Sequence, residues 1–263
     1  DCIMIRKRKF QPKPKFRENE PVVQKGPIRL NKYIADAGVC SRRLADELIA
    51  RGKVKIDDIV TKELGTRVEP GQMVTVKGNP VSYFRHKVYV LLNKPKDIIT
   101  TTSDDRGRKT VMHIVKRRER LFPVGRLDRN TTGALIMTND GDLAHRLMHP
   151  SYNVEKRYKV TLNKQVDFQD VQRIASGVPL EDGLTSPSYI FVEPEDHTIV
   201  HMIMTEGRYR EIRRMWEYFG YKVKKLDRKT FGNITTQALN RGQYRFMTPE
   251  EVKGLKDLVG MPT

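Results

Sequence analysis

The chain has 263 residues, of which 50 are lysine or arginine and 32 are aspartate or glutamate, so its formal net charge is +18. This length leaves room for one large domain with a small one, or for two of medium size. No run approaches the roughly 20 consecutive apolar residues that span a bilayer, and no stretch has the pattern of a secretory signal, so we expect neither membrane insertion nor export. The excess of positive charge predicts salt-dependent binding to a polyanion, of which nucleic acid is the usual one.

Residues 1–27 form a separate, strongly basic segment. The stretch from Arg6 to Arg17 holds seven basic residues, two prolines and no acidic residue, and it has neither helical nor strand periodicity. Such a composition is typical of a disordered arm. Additional phosphate contacts and an inert tail are equally consistent with it.

Residues 28–79 predict a small unit of two helices followed by a short sheet. In RLNKYIADAG the apolar residues recur at spacings of three and four, which indicates one face of a helix that ends at its glycine. Ser41 is a favourable N-cap for a second helix, which ends at Gly52. The stretches KVKID and MVTVKG predict strands.

In order and in residues this unit resembles the small RNA-binding domain named after the fourth protein of the small ribosomal subunit. The resemblance rests on RLNKYIADAGVCSRRLADELIARGKVKID and on the later VEPGQMVTV. Arg42 and Arg43 lie at a predicted helix start, where free backbone N–H groups can join the side chains in binding phosphate. Lys53 and Lys55 extend this basic surface. An ordinary helix with solvated charges is the alternative interpretation.

Residues 80–87 are polar and irregular, and they predict a linker to a second domain that spans residues 88–263. That domain begins with the apolar strand VYVLLN and then alternates short strands with helical stretches. The predicted helices cover Asp140–Leu147, Phe168–Ala175, Tyr209–Phe219 and a last segment that begins after Thr248 and Pro249. Many strands with few helices indicate an α+β fold with a largely antiparallel sheet.

The segment GRLDRNTTG places one aspartate, Asp128, between Arg126 and Arg129 in a loop rich in Gly, Asn and Thr. In a groove that attracts RNA, a carboxylate is a poor binding group because phosphate repels it. This makes Asp128 a candidate for chemistry. The competing interpretation is a turn aspartate whose side chain accepts a hydrogen bond from nearby backbone. The residues alone favour this second interpretation.

Four motifs, in this order along the chain, resemble those of the pseudouridine synthases of the RsuA/RluB branch. They are LLNKPKDIITTTSDDRGRKTV, GRLD followed by NTTGALIMTNDGDL, VEKRYKV and EGRYREIRRMWEYFGYKVKKLDRKTFGNI. Together with the N-terminal unit, the resemblance extends from Ile28 to Val259. The stretches LAHRLMHPS and VPLEDG are closest to the RluB side of the branch, whose substrate is large-subunit ribosomal RNA.

The resemblance implies that one uridine of ribosomal RNA is isomerised to pseudouridine after the nucleotide has been flipped out of the folded RNA. It implies no metal, nucleotide or redox cofactor, because the reaction is an isomerisation. The implied partner is ribosomal RNA or a ribosome assembly intermediate. We also expect a monomer that acts in the cytoplasm.

The resemblance assigns roles residue by residue. Asp128 matches the catalytic aspartate, Tyr158 the active-site tyrosine, and Arg213 the arginine that pairs with the aspartate. Arg126 matches the arginine that helps to displace the target base.

A helical wheel of the last motif separates its arginines. Arg213 lies at the border of an apolar arc, whereas Arg210 and Arg214 lie further round, toward solvent or RNA. The arc comprises Tyr209, Ile212, Met215, Trp216 and Phe219, which we expect to pack inward. We therefore expect Arg213 to reach a buried carboxylate, and Arg210 and Arg214 to bind RNA.

Two other classes of protein compete with this assignment. A non-catalytic protein that assists ribosome assembly would use the same small domain and charge, but it would not need Asp128, Tyr158 and Arg213 together. A metal-dependent RNA nuclease would need a cluster of carboxylates around its metals, and only Asp128 is well placed. The two cysteines, Cys2 and Cys40, are too few for a four-cysteine zinc site, and no Walker loop or dinucleotide fingerprint is present.

Overall fold

The computed structural model of this protein describes residues 24–83 and 86–262. The basic arm predicted for residues 1–27 therefore lies almost entirely outside the described residues. Within the described ranges, no helix has both the length and the apolar character needed to cross a membrane.

The N-terminal unit combines helices with short strands. Helices α1 and α2 cover Leu30–Asp36 and Arg42–Ala50, and strands β1 to β6 cover Ile28–Arg29, Val54–Ile56, Ile59–Val60, Arg67–Val68, Val74–Val76 and Asn79–Val81. Strands β3, β2, β5 and β6 form an antiparallel sheet in that order, and β1 pairs with β4. Both predicted helices are present: Leu30, Tyr33 and Ile34 are buried on one face of α1. The hydroxyl of Ser41 accepts a hydrogen bond from the Leu44 N–H, as expected of an N-cap.

The sheet of this unit continues into the segment that was predicted to be a linker. Strand β6 runs to Val81 and pairs with β5, because strand pairing can order a short polar stretch whose composition shows no strand signal. Helix α1 also contacts the second domain. The Lys32 ammonium, which pairs with Asp36 of the same helix at 2.8 Å, lies 3.1 Å from Asp142 of the second domain. The remaining domain boundaries stay predictions.

The second domain is built on one long sheet. Strands β7 to β17 cover Tyr89–Lys94, Phe122–Pro123, Thr131–Thr138, Lys156–Leu162, Pro179–Leu180, Gly183–Leu184, Tyr189–Val192, Ile199–Met204, Val223–Phe231, Ile234–Thr235 and Tyr244–Phe246, and helices α3 to α7 cover Val111–Ile114, Gly141–Met148, Phe168–Ser176, Glu211–Tyr218 and Pro249–Leu258. The strand order is β13-β14-β10-β15-β9-β7-β17, with β16 on β15 and β8 on β9. Strands β9 and β15 are parallel, and the other pairs named here are antiparallel. The predicted α+β fold with a largely antiparallel sheet is confirmed.

The helices cover the two ends of this sheet differently. Helices α4 and α7 pack on one face of β7 and β9, and α3 packs on the other. Helices α5 and α6 pack on one face of β10, β14 and β15. The opposite face of β10, β13 and β14 carries exposed or half-exposed side chains.

Most of the helix predictions hold, and two helices start later than predicted. Helix α7 begins after Thr248, as predicted, and Thr248 caps it. Helix α4 begins at Gly141, one residue after the predicted start at Asp140, which caps it. Helix α6 begins at Glu211, because Arg210 adopts a left-handed conformation with φ 47° and acts as the N-cap residue. Tyr209 consequently lies outside the helix with 71% of its side chain exposed, so the expectation that it packs inward is wrong. Helix α3 is a single turn and shows no periodicity that could have predicted it.

Gly133 allows strands β9 and β15 to pair beside the GRLD loop. It lies opposite Arg228 in the parallel register and has φ +109°. A Cβ at this position would lie 2.1 Å from the carbonyl oxygen of Arg228. Both the dihedral angle and the contact therefore require glycine.

We expect Gly133→Ala to destabilise the protein by about 3 kcal/mol or more, because the energetic cost of the positive φ and the cost of the clash with β15 add up. Thermal or urea denaturation measures this difference. Gly26→Ala is the matched control, since a Cβ at Gly26 would meet nothing within 4 Å. Similar stabilities of the two variants would contradict the close approach of β9 and β15.

Candidate active site

A recess of about 590 Å³ opens where the loop before β9 faces β10, β15 and the segment between β14 and α6. Its lining includes Arg126, Asp128, Lys156, Tyr158, Glu206, Arg208, Arg210, Glu211 and Arg228. The fold thus brings Asp128, Tyr158, Arg126 and Arg210 together from three of the predicted motifs. Arg213 and Arg214 are not among the lining residues.

The loop that carries Asp128 is held by a buried lysine. Lys94, the last residue of β7, has a fully buried side chain. Its ammonium donates hydrogen bonds to the carbonyl oxygens of Asp128 at 3.1 Å, Arg129 at 3.3 Å and Thr131 at 2.8 Å. Burial lowers the pKa of Lys94 to about 8, while the charge of Asp128 opposes this shift. The lysine is therefore mostly protonated at neutral pH.

A threonine fixes the same loop at the preceding residue. The Thr100 hydroxyl donates to the Leu127 carbonyl oxygen at 2.8 Å and accepts from the Leu127 N–H at 3.2 Å. The backbone on both sides of Asp128 is therefore tied to the domain interior. The Asp128 side chain remains 37% exposed and faces the recess.

The arginine nearest to the Asp128 carboxylate is Arg210. Its Nη1 lies 3.9 Å from Asp128 Oδ2, and its side chain is 39% exposed. Arg213 is only 8% exposed and donates from Nη1 to the Val223 carbonyl oxygen at 3.0 Å. No ion pair joins Arg213 to Asp128 in the described part of the chain. The direct ionic contact thus comes from Arg210, which was expected to bind RNA.

The charge of Asp128 nevertheless reaches Arg213. Burial lowers the pKa of Arg213, and the positive charge of Arg210 lowers it further, whereas the negative charge of Asp128 raises it. The two groups therefore interact electrostatically without a direct contact. Arg213 is buried on α6, as its expected position beside the apolar arc requires.

Arg214 has a different partner from the one expected. Its two terminal nitrogens each lie 2.9 Å from an oxygen of Asp182, between β11 and β12. Arg208 donates to the backbone oxygens of Gly183 at 3.0 Å and Leu184 at 2.7 Å. Both guanidinium groups thus tie this hairpin to the start of α6, and RNA binding by Arg214 stays a prediction.

Tyr158 lies on β10 with its side chain buried. Its cross-strand neighbours are Met202 on β14 and Arg228 on β15. The tyrosine lines the recess that Asp128 faces. This placement gives the recess an aromatic wall against which a flat base can pack.

The other predicted RNA-binding residues are exposed but distributed over the surface. Arg126 is exposed at the edge of the recess, and Arg42 and Arg43 are exposed at the start of α2. Lys53 and Lys55 line a second recess of about 420 Å³ in the N-terminal unit. This second recess also contains Lys77, which was not singled out from the sequence.

Two further cations of the main recess, Lys156 and Arg228, were not singled out from the sequence. Lys156 and Arg228 lie 5.7 Å and 5.0 Å from the centre of the Phe231 ring. Burial lowers the pKa of Lys156 to about 8, and the charge of Arg228 contributes to the shift. Arg228 Nη2 is buried and has no hydrogen-bond partner among the described residues. The alternation of β10 could have identified Lys156, since it lies two residues before Tyr158 and on the same face.

A pair of carboxyl groups lies at the base of the recess. Glu211 is 3% exposed, and its Oε2 accepts a hydrogen bond from the Arg208 N–H at 2.9 Å. Its Oε1 receives no hydrogen bond from an N–H or O–H group of the described residues. Glu206 accepts from the Ser186 N–H at 2.6 Å.

Burial raises the pKa of Glu211 to about 7, and the neighbouring Glu206 raises it further. The pKa of Glu206 is lowered. Burial alone would raise it, but the interaction with the Glu211 side chain lowers it. Glu211 is therefore the carboxyl of this pair that becomes protonated as the pH falls below about 7. Lys156, Arg208 and Arg214 supply the surrounding positive charge.

This pair predicts a pH dependence of stability. The folded pKa of Glu211 is about 7, above its ordinary 4.5, so the stability that it contributes is present at low pH and is lost as the pH rises through about 7. Glu211→Gln mimics the protonated group and can donate to Glu206. The melting temperature of this variant relative to the wild type should therefore rise between about pH 5 and about pH 8.

Glu217→Gln is the control for this measurement, because Glu217 is exposed on the same helix. Its difference from the wild type should stay nearly constant over the same pH range. Parallel profiles for the wild type and Glu211→Gln would contradict the raised pKa of Glu211.

Comparison with known proteins identifies the family. The model of the family described as RNA pseudouridylate synthase matches residues 88–218, and that of the S4 domain matches residues 28–74. The chain is 40% identical over 235 residues to the ribosomal large subunit pseudouridine synthase B of Bacillus subtilis, which covers 88% of this chain and 96% of the relative. The chain therefore belongs to the RNA pseudouridylate synthase family and is an isomerase.

Other relatives agree with this assignment. The dual-specificity RNA pseudouridine synthase RluF of Escherichia coli K12 is 35% identical over 234 residues, covering 88% of this chain and 79% of the relative. A crystal structure of a pseudouridylate synthase superposes with a TM-score of 0.64 at 29% identity, covering 87% of this chain and 99% of that one. The resemblance inferred from the four motifs is confirmed.

Proposed function

We propose that this protein converts one specific uridine of large-subunit ribosomal RNA to pseudouridine, with Asp128 as the catalytic group. The observation that carries the proposal is the half-exposed Asp128 carboxylate, which faces a recess lined by several cations. The cations of this recess attract the phosphates of RNA. Phosphate binding alone gives no reason for a carboxylate in the recess, so Asp128 has a different role. The name of the Bacillus subtilis relative supports the large subunit as the source of the substrate.

The chemistry balances within the nucleotide. The bond between N1 of uracil and C1′ of ribose breaks, a bond between C5 and C1′ forms, one proton leaves C5 and one is gained at N1. Asp128 serves either as the nucleophile that adds to C1′ or as the base that removes a ribose proton to give a glycal. Both routes need its carboxylate oxygen in the recess, and neither transfers electrons to a cofactor.

The surrounding residues position the base. The target nucleotide is flipped out of the RNA to reach Asp128. Arg126, exposed at the edge of the recess, is placed to occupy the space that the base leaves. Tyr158 packs against the flipped uracil, and Arg213 and Arg210 provide the positive charge that holds the Asp128 carboxylate in place.

Release of tritium from RNA labelled at C5 of uridine tests this function. Transcripts of large-subunit and small-subunit ribosomal RNA are incubated with the purified protein, with and without EDTA. We expect the large-subunit transcript to release the tritium of one uridine per molecule. EDTA should have no effect on this release. Binding without release would favour an assembly factor, and strand cleavage that EDTA abolishes would favour a metal-dependent nuclease.

The N-terminal domain should contribute affinity rather than chemistry. We expect Arg42→Ala/Arg43→Ala to weaken RNA binding and to make the slope of log K against log salt shallower by about 1 to 2. The turnover number at saturating protein should stay close to the wild-type value. Lys164→Ala/Arg173→Ala removes two exposed cations near α5 and is the control. An unchanged salt slope for the Arg42/Arg43 variant would contradict phosphate binding at the start of α2.

The proposal includes the setting of the reaction. The protein acts as a monomer in the cytoplasm, on ribosomal RNA or on a ribosome assembly intermediate. Sedimentation of the purified protein tests whether it is a monomer. Fractionation of ribosomal particles from cells tests whether the enzyme binds free ribosomal RNA or an assembly intermediate.

A further inference from the structure

The edge strand β13 exposes two aromatic side chains on one face of the sheet. Tyr189 is 77% exposed and Phe191 is 59% exposed. The alternating residues Ile190 and Val192 pack on the opposite side, against the cluster that contains Tyr158. The two rings therefore lie on the side of the sheet that faces away from the Tyr158 core, roughly 7 Å apart along the strand.

Two cross-strand rows continue from these rings. Tyr189 pairs with Ile203, which pairs with Arg157. Phe191 pairs with His201, which pairs with Lys159. The Phe191 and His201 rings are in contact, with their centres 6.1 Å apart. We call the surface made by these rows on β13, β14 and β10 the outer sheet face.

The charge of the outer sheet face is mainly positive. Arg157 is exposed, Lys159 is half-exposed, and Lys225 continues the surface on β15 beside Thr161. The carboxylate of Asp227 is already neutralised by Lys229 at 2.6 Å and Arg241 at 3.0 Å. Glu193 is paired with His201 at 2.6 Å. Arg157 makes an exposed ion pair with Glu155 at 3.8 Å, and such a pair contributes little and is screened by salt. Among the described residues no salt bridge joins Lys159 to a carboxylate, so the rings have one weakly paired and one unpaired cation beside them.

We propose that the outer sheet face binds a single-stranded segment of the substrate RNA, with bases stacked on Tyr189 and Phe191 and phosphates contacting Arg157 and Lys159. Aromatic rings on a sheet, with cations beside them, match the two groups that an unpaired strand offers, the faces of its bases and its phosphates. A protein partner would fit less well, because the cations would have to be desolvated without a matching anion. The proposal rests on the proposed function for the identity of the RNA.

This surface is separate from the recess of Asp128. Tyr158 and Arg157 are neighbours on β10 and point to opposite faces of the sheet. A strand bound at the outer sheet face is therefore a different segment from the one that carries the target uridine. Its binding would add affinity for a long RNA substrate without changing the chemical step.

The test compares Tyr189→Ala/Phe191→Ala with the control Phe168→Ala/Tyr218→Ala. The control removes two aromatic side chains of similar exposure from α5 and α6. Affinity for a single-stranded oligouridine is measured by fluorescence anisotropy in the full-length protein. Because stacking of one base contributes about 1–3 kcal/mol, we expect the first variant to bind at least about tenfold more weakly and the control to bind like the wild type.

Kinetics on two substrates give a second readout. On a full-length ribosomal RNA transcript, KM should rise for Tyr189→Ala/Phe191→Ala while kcat is unchanged. On a short stem-loop that contains only the target site, both constants should equal those of the wild type. Arg157→Gln/Lys159→Gln should make the salt dependence of oligouridine binding shallower.

Wild-type affinity of Tyr189→Ala/Phe191→Ala for oligouridine would overturn the proposal. The proposal would also be overturned if this variant bound RNA normally but lost self-association or a contact with a ribosomal protein. The outer sheet face would then be a protein-binding surface. If the wild-type protein forms no pseudouridine but the variant still loses oligouridine binding, the proposed function fails and this RNA surface stands. Thermal melting of each variant shows that the fold is intact.

Discussion

Asp128→Asn is expected to abolish pseudouridine formation while leaving RNA affinity unchanged or slightly tighter. The substitution keeps the shape of the side chain and removes the charge and the nucleophilic oxygen. A group that acts only in the chemical step lowers the rate without weakening ground-state binding. Because the recess is lined by cations, losing one negative charge there should not repel phosphate.

The expected loss in single-turnover tritium release is about 10⁴-fold or more. An RNA-binding curve is measured on the same preparation. Asp97→Asn is the matched control, since Asp97 is an exposed carboxylate that contacts Arg129, beside Asp128, at 3.3 Å. Tritium release by Asp128→Asn at a rate near that of the wild type would mean that another residue performs the chemistry, and the assembly-factor interpretation would then be favoured.

Arg213→Met is expected to lower kcat by about 100-fold, and the loss should be nearly independent of salt. Arg213 is buried and the charge of Asp128 raises its pKa, so salt screens this interaction less than it screens the exposed pair of Arg210. Its removal also leaves the Val223 carbonyl oxygen without its donor. Arg210→Met should cost no more than about fivefold, since an exposed ion pair contributes little and is screened by salt.

Turnover of both variants is measured at low and at high salt. Arg214→Met is the control, because Arg214 is paired with Asp182 and does not line the recess. Melting temperatures separate a catalytic loss from a general loss of stability. A greater loss for Arg210→Met, disappearing at high salt, would identify Arg210 as the group that holds Asp128.

Sequence patterns were sufficient wherever neighbouring residues decide the structure. The buried face of α1, the Ser41 cap and the Thr248 cap depend on residues within one or two helical turns. The GRLD loop could likewise be singled out, because its residue types are unusual for a protein that binds phosphate. Residue types alone left two interpretations of Asp128 open, and the resemblance of the four motifs separated them.

The contacts of the site were decided by the tertiary structure. Arg214 meets Asp182 and Lys94 meets the Asp128 loop across 32 and 34 residues, so these partners depend on strand register, which local periodicity does not encode. The left-handed conformation of Arg210 makes the predicted helix start later, at Glu211, and the Arg210 guanidinium lies 3.9 Å from Asp128. The carboxyl pair of Glu206 and Glu211 has no sequence signature, because the raised pKa of Glu211 arises from burial.

The sequence by itself determined the order of the elements, the two domains' classes and the residues that carry the family motifs. These features follow from hydrophobic spacing, helix caps and residue types, which are local properties of the chain. The tertiary structure alone decided which arginine contacts Asp128, which cations remain free, and that Tyr189 and Phe191 share an exposed face with Arg157 and Lys159. These features depend on the packing of segments far apart in the chain, because only folding sets their distances, burial and charge surroundings.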